Sequence, residues 1–266
     1  MLSTTVLAAS PDFTVTAVRC AGGHAGWSEP EPARGYALVL VRSGWFRLRS
    51  RGGGAIAEPA SGYLQRPGDE LRFAHPAGGD TCTAVNLSEA LWHDTTDGGD
   101  HAAGLPLRVD GRTELAHRAL LRAAPDAAFA MAEHLVGLLA GAACHGPAGT
   151  GTPAHRALAG AAREALLTGA PAAAGLVPLA RALGVSPAHL SRVFRRETGT
   201  TLTRYRNRLR VSRALDRIGS GETDLAALAA DLGFADQAHL TRTVRRETGG
   251  PPGRLRALLA PADPRR

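Results

Sequence analysis

The sequence predicts an α+β protein of two domains, a β-barrel or sandwich followed by an all-α domain with two helix-turn-helix units. Three observations carry this prediction. Residues 12–87 run as short apolar/polar alternations broken by Gly and Pro, the period of half-buried strands. From residue 113 the apolar positions recur at helical spacing. Nearly the same eleven residues then occur twice, fifty positions apart, as HLSRVFRRETG from His189 and HLTRTVRRETG from His239.

Taken in order, GYALVLV (Gly35 to Val41), the turn Ser43-Gly44, WFRLR (Trp45 to Arg49), the hairpin glycines Gly52 to Gly54, ELRFAH and TCTAVNL form the strands of the first domain, residues 1–112. TELAHRALLRAA and DAAFAMAEHLVGLLAGAAC, broken at Ala124-Pro125, form a helical segment over 113–145. HGPAGTGTP has a linker's composition, and the linker is placed at 146–153. The second domain, 154–266, opens with ALAGAAREALLTG and LVPLARALG, each ending at a glycine.

The repeat extends beyond eleven residues. LARALGVSPAHLSRVFRRETG (Leu179 to Gly199) aligns with LAADLGFADQAHLTRTVRRETG (Leu228 to Gly249), each a short helix, a turn at Gly184 or Gly233, and a second helix. Ser186 and Pro187 mark a cap and first turn. At 100° per residue, Leu190, Val193 and Phe194 share one side of the first copy; Ala188, Arg192 and Arg195 lie opposite, flanked by His189, Ser191 and Arg196. In the second copy Leu240 and Val244 oppose Ala238, Arg242 and Arg245, flanked by His239, Thr241 and Arg246. One cationic helix face is ordinarily just solvated. Two with matching turn, cap and arginines point to nucleic acid. The intervening helix of roughly 18 residues spans about 27 Å, a length that suits two recognition helices about one DNA turn apart.

Charge agrees with this reading. The chain carries +7 overall, but residues 153–266 hold 19 Arg against 9 acidic residues, and residues 1–152 hold 12 against 15. Every basic residue is Arg, which together with abundant Ala, Gly and Pro reflects GC-rich coding, so placement rather than identity carries the argument. No apolar run reaches the roughly 20 residues of a membrane span, and MLSTTVLAAS lacks a signal peptide's basic start, so a cytoplasmic protein without membrane contact is expected. Cys20, Cys82 and Cys144 are odd in number and widely spaced, which argues against a disulfide framework.

Residues from about Ala154 to Leu259 resemble the DNA-binding domain of the AraC/XylS family of bacterial transcription regulators, on LARALGVSPAHLSRVFRRETG, LTRYRNRLRVSRAL and GFADQAHLTRTVRRETGGPPGRLR. The resemblance implies binding to double-stranded promoter DNA, with RNA polymerase as a partner if the protein activates. It places Ala188, Ser191, Arg192, Ala238, His239, Thr241 and Arg242 near bases and Arg195, Arg196, Arg245 and Arg246 near phosphates, with His189 and Gln237 also in the DNA-binding set. Where the family's second recognition helix usually carries Phe this chain has Val244, and Leu255 replaces the aromatic before the closing Arg.

The segment GYALVLVRSGWFRLRS to TCTAVNL, with Pro67-Gly68-Asp69 before a strand, is similar to the cupin-like barrel sensor of that family, which implies a small effector and, through the apolar residues of Thr113 to Cys144 after the barrel, a helical dimerisation segment and a homodimer. Metal-dependent cupin enzymes show a His-x-His pair that this chain lacks, and HExxH and GxxxxGK[ST] are also missing, so no enzyme is expected; the rival reading is a cupin-type enzyme with a DNA-binding appendage. No cofactor is expected, with one alternative. C-x3-H at Cys20/His24 and H-x6-C at His75/Cys82 offer two thiols and two imidazoles to zinc or another thiophilic metal, for a metal- or redox-responsive regulator. In the plainer reading Cys82 is strand core, His75 ends a strand before Pro76 and His24 lies in a glycine-rich loop.

Overall fold

The computed structural model describes residues 2–51, 53–96, 106–121 and 151–259. The first domain contains β1 (Leu2–Ala9), β2 (Phe13–Cys20), β3 (Glu31–Pro32), β4 (Tyr36–Ser43), β5 (Phe46–Ser50), β6 (Gly53–Ala57), β7 (Ser61–Gln65), β8 (Glu70–Ala74), β9 (Asp80–Leu87), α1 (Glu89–Thr96), β10 (Pro106–Arg108) and α2 (Gly111–Leu120). One sheet runs β1-β2-β9-β4-β7-β10 and faces a second, β3-β8-β5-β6.

Period-two alternation in β4 divides its side chains between two cores. Val39 and Val41 point between the sheets, joining Phe46, Leu48, Tyr63, Leu71 and Cys82. Leu38 and Leu40 point to the other face, where Phe13, Val85, Trp92 and Leu120 close over them. Both faces of this sheet are therefore buried, which explains why YALVLV reads as a continuous apolar run.

The second domain contains α3 (Pro153–Thr168), a 3₁₀ turn (Pro171–Ala174), α4 (Leu176–Ala182), α5 (Pro187–Thr198), α6 (Leu202–Gly219), α7 (Leu225–Asp231), α8 (Gln237–Thr248) and α9 (Pro252–Leu259). It has two cores. Leu179, Leu190 and Phe194 pack with Tyr205 and Leu209 from the first half of α6; Leu228, Leu240 and Val244 pack with Leu215 and Ile218 from its second half. Val244 and Leu255, the two departures from the family pattern, are both buried in this second core. Leu can fill that position as an apolar side chain, so the substitution preserves the packing.

Asp110 caps α2 by accepting from the backbone N–H groups of Arg112 and Thr113, so this helix begins two residues before the expected Thr113. Pro125 to Cys144, the rest of the expected helical segment, and the linker residues 146–150 lie outside the described residues. Thr152 caps α3 through His155 N–H, which starts the second domain's first helix at Pro153.

Candidate nucleic-acid interface

Each helix-turn-helix unit is built by the same local devices. Gly184 and Gly233 turn the chain with φ of 68° and 72°, a left-handed conformation that favours glycine. The Ser186 hydroxyl accepts from His189 N–H at 3.2 Å, and the Asp236 carboxylate accepts from His239 N–H at 2.6 Å. Both recognition helices, α5 and α8, end at a left-handed glycine, Gly199 and Gly249.

The two helices match in exposure position by position. Ala188, Arg192, Arg195 and Arg196 are exposed on α5, as are Ala238, Arg242, Arg245 and Arg246 on α8; Ser191 and Thr241 are half-buried at equivalent places. Gln237, at the start of α8, is exposed. Arg195, Arg196, Arg242 and Arg245 make no ion pair among the described residues, which leaves their guanidinium groups available to an anionic partner. The histidines behave differently. The His239 ring accepts from Ala235 N–H at 3.3 Å and sits edge-on to Phe234, and the His189 ring lies 5.9 Å from that of His155. Both imidazoles thus brace the turn or a neighbouring helix.

Between the recognition helices, α6 is 18 residues long, the length expected from the sequence. Its outer surface faces the first domain through buried charges. Tyr205 Oη donates to Glu58 Oε1 at 3.0 Å, and Arg163 Nη2 donates to the same oxygen at 2.9 Å and to the Ile56 carbonyl. On the other side of the interface, Glu114 of α2 forms an ion pair with Arg208 and accepts hydrogen bonds from Arg118 Nε and Ser212 Oγ. Burial alone would raise the Glu114 carboxyl, but Arg208 and Arg118 outweigh it and pull the pKa down to about 2. Arg118 also reaches Asp216 of α6 at 2.6 Å. A less buried bidentate pair, Arg47 with Glu164, adds a contact to α3.

Helix α2 therefore grips the back of the second helix-turn-helix unit. Gly111 lies on the Glu247 backbone so closely that an added Cβ would sit 2.5 Å from the Glu247 carbonyl oxygen. Leu115 joins the core beneath α8 while Leu120 joins the core of the sheet domain, so this one helix belongs to both. Sequence reasoning missed Glu58, Glu114, Arg163, Tyr205 and Arg208 because their partners lie about a hundred residues or more away, and no local pattern marks such pairs. The only available signal was charged residues within otherwise helical stripes.

Between the two domains lies a cleft of about 1220 Å³ whose walls include Arg47, Arg49, Glu58, Arg156, Arg163 and Arg204. At one end of the sheet domain the structure brings two of the four residues expected as metal ligands, Cys20 and His75, into one cluster, while Cys82 and His24 lie beside it. Cys20 and His75 cluster with Asp80, their ligand atoms within 4.8 Å of one another. The buried Cys82 thiol donates to Asp80 at 3.0 Å; the His24 ring lies 4.8 Å from the His75 ring while its Nδ1 meets the Gly26 carbonyl. Asp80 carried no sequence signal, being one acid at a strand start. Among the described residues no helix is long and apolar enough to cross a membrane.

Residues 179–257 match a protein-family model described as a helix-turn-helix domain. Among solved structures the chain is similar to ToxT from Vibrio cholerae O395 bound to (E)-4-(8-methylnaphthalen-1-yl)but-3-enoic acid, at 10% identity over 94% of this chain and 100% of that one, with a TM-score of 0.40. It is also similar to unsaturated fatty acid bound wild-type ToxT from V. cholerae strain SCE256, at 9% identity over 94% and 96% of the two chains, with a TM-score of 0.39. A Cupin 2 conserved barrel domain protein from Leptotrichia buccalis is similar at 17% identity over 33% of this chain and 41% of that one, with a TM-score of 0.29. No curated protein matches.

Proposed function

We propose that this chain, an AraC-type helix-turn-helix domain behind a cupin-like sheet domain, is a transcription regulator that reads promoter DNA with α5 and α8 in successive major grooves. The observation that carries this reading is the matched pair of exposed faces, Ala188/Ser191/Arg192 and Ala238/Thr241/Arg242, presented at the two ends of an 18-residue helix. Arg192 and Arg242 are assigned to bidentate contacts with guanine, and Arg195, Arg196, Arg245 and Arg246 to phosphates. Gln237 is assigned to a polar contact at the N-terminal entry of α8.

Packing supports a place for a small effector. The space between the sheets is filled by Val39, Val41, Phe46, Leu48, Tyr63 and Leu71, so a small molecule is better accommodated in the interdomain cleft than inside the barrel. Occupancy there would act on the Glu58–Arg163–Tyr205 contact and so on the setting of α6, which carries both recognition helices. A second copy, joined through the part of 113–145 that follows α2, since α2 itself is buried between the two domains, would double the number of reading units.

Enrichment of bound duplexes from a randomised pool tests the reading. It predicts a site with two conserved blocks whose centres lie about one helical turn apart. A pool that stays random through successive rounds contradicts it.

A further inference from the structure

We infer that Cys20, His75 and Asp80 form a binding site for a thiophilic divalent cation of the zinc class at the end of the first domain. The inference concerns the sheet domain alone and does not depend on the DNA-binding reading.

The strand ladder creates the site. In the antiparallel pairing of β2 with β9, Cys20 lies directly opposite Asp80, so the two side chains leave the same face of the sheet. His75, just past the end of β8, is fastened to the Cys20–His24 loop by its backbone N–H, which donates to the His24 carbonyl at 2.8 Å. Its imidazole then meets Asp80 Oδ1 at 2.6 Å through Nδ1. Glycines allow the segments to come this close. A Cβ on Gly79 would sit 2.4 Å from the Cys20 carbonyl oxygen, and one on Gly44 would sit 2.6 Å from the Gly79 oxygen and 2.9 Å from Asp80 Cα.

The donor set selects the ion. A thiol, an imidazole and one carboxylate within 4.8 Å suit the short bonds of a tetrahedral zinc-like ion, about 2.0–2.3 Å, and suit magnesium or calcium poorly because those prefer all-oxygen shells. The surroundings are protected: the Asp80 side chain is 4% exposed and that of His75 12%, with the Phe46 ring 5.2 Å from the imidazole. Cys82 lies behind Asp80 and donates its thiol proton to Oδ2. That hydrogen bond fixes the orientation of the carboxylate, and Cys82 itself is buried in the core between the sheets. The cation would take the place of the His75–Asp80 hydrogen bond, binding Nδ1 of an imidazole that carries its proton on Nε2, and would release the Cys20 thiol proton to solvent, leaving one coordination position for water or an incoming ligand.

The test is titration of the chelator-treated, full-length protein with cobalt(II), which reports thiolate coordination as a charge-transfer absorption band. One cobalt per chain with that band is expected. Cys20→Ser should abolish the band, Cys82→Ser should retain it, and His75→Gln should weaken binding at least tenfold, with all three variants showing the wild-type far-ultraviolet circular dichroism. Cys20 is only half-buried at a strand end, so its serine variant keeps the fold. Absence of saturable binding, or a band that depends on Cys82 and survives Cys20→Ser, would overturn the assignment.

Discussion

Tyr205 and Glu58 are 147 positions apart in the chain, and the hydroxyl of one donates to the carboxylate of the other at 3.0 Å in a place neither shares with solvent. Arg163 completes the group, its charge held by Tyr205 and Glu58 against the cost of burial. A buried ion is destabilising unless it is paired, so this contact makes the domain arrangement specific. Glu58→Ala, which leaves the Arg163 charge without its carboxylate, is expected to cost about 3–5 kcal/mol in thermal or urea denaturation. Glu58→Gln, which keeps an acceptor for Tyr205, should cost less. Equal stability of Glu58→Ala and the wild type would show that the two domains do not depend on this group.

The second interdomain cluster titrates. Burial, then the charge of Arg118, pushes the His117 imidazole of α2 down to about 3, so it stays neutral in the fold. Below pH 6.5 the unfolded chain takes up a proton there that the folded chain refuses, and stability falls by roughly 1.4 kcal/mol per pH unit until about pH 3. Glu114 has the same direction in a lower window: its contribution is complete above 4.5 and is lost as the pH falls toward 2. Melting temperatures measured from pH 7 to pH 5 should therefore decline, and His117→Gln should flatten that decline. An unchanged slope in the variant would remove His117 as its source.

Helix propensity and packing make opposite predictions at Gly111. An alanine in the first turn of α2 should favour the helix by up to about 1 kcal/mol, yet its Cβ would press on the Glu247 carbonyl at 2.5 Å. The obstacle is backbone, so the packing effect should win, with a net loss of about 1–3 kcal/mol. Amide hydrogen exchange in α8 should accelerate in Gly111→Ala, because that helix loses its support. Slower exchange would mean that α2 docks elsewhere.

How much of this was legible in the sequence depended on how local the signal was. The two helix-turn-helix units were, since cap, turn glycine and apolar stripe all lie within about 22 residues, and the chain repeats them. The length of α6 was legible for the same reason. The docking of α2 was not: nothing near Glu114 indicates Arg208, and the pairing exists only after both domains have folded. The end-of-sheet cluster lies between these cases. Cys20, His24, His75 and Cys82 were visible as ligand types, but only strand register could put Asp80 opposite Cys20 and turn the His24 imidazole toward Gly26.

The reading roles of the arginines separate by experiment. Arg242→Ala should relax preference at one or two base pairs, losing about 1–3 kcal/mol of discrimination there. Arg245→Ala should weaken binding to all sequences alike and reduce the salt slope by about 1. Uniform loss with Arg242→Ala would move that residue to the phosphates.

The central claim is that the paired helices read sequence. Fluorescence anisotropy of the full-length protein on its own upstream DNA and on a scrambled duplex, across a salt series, tests it most directly. The account predicts at least about a thousandfold preference for the specific duplex that persists as salt rises. Equal, steeply salt-dependent binding to both would contradict it and would leave the arginines of α5 and α8 as phosphate contacts alone.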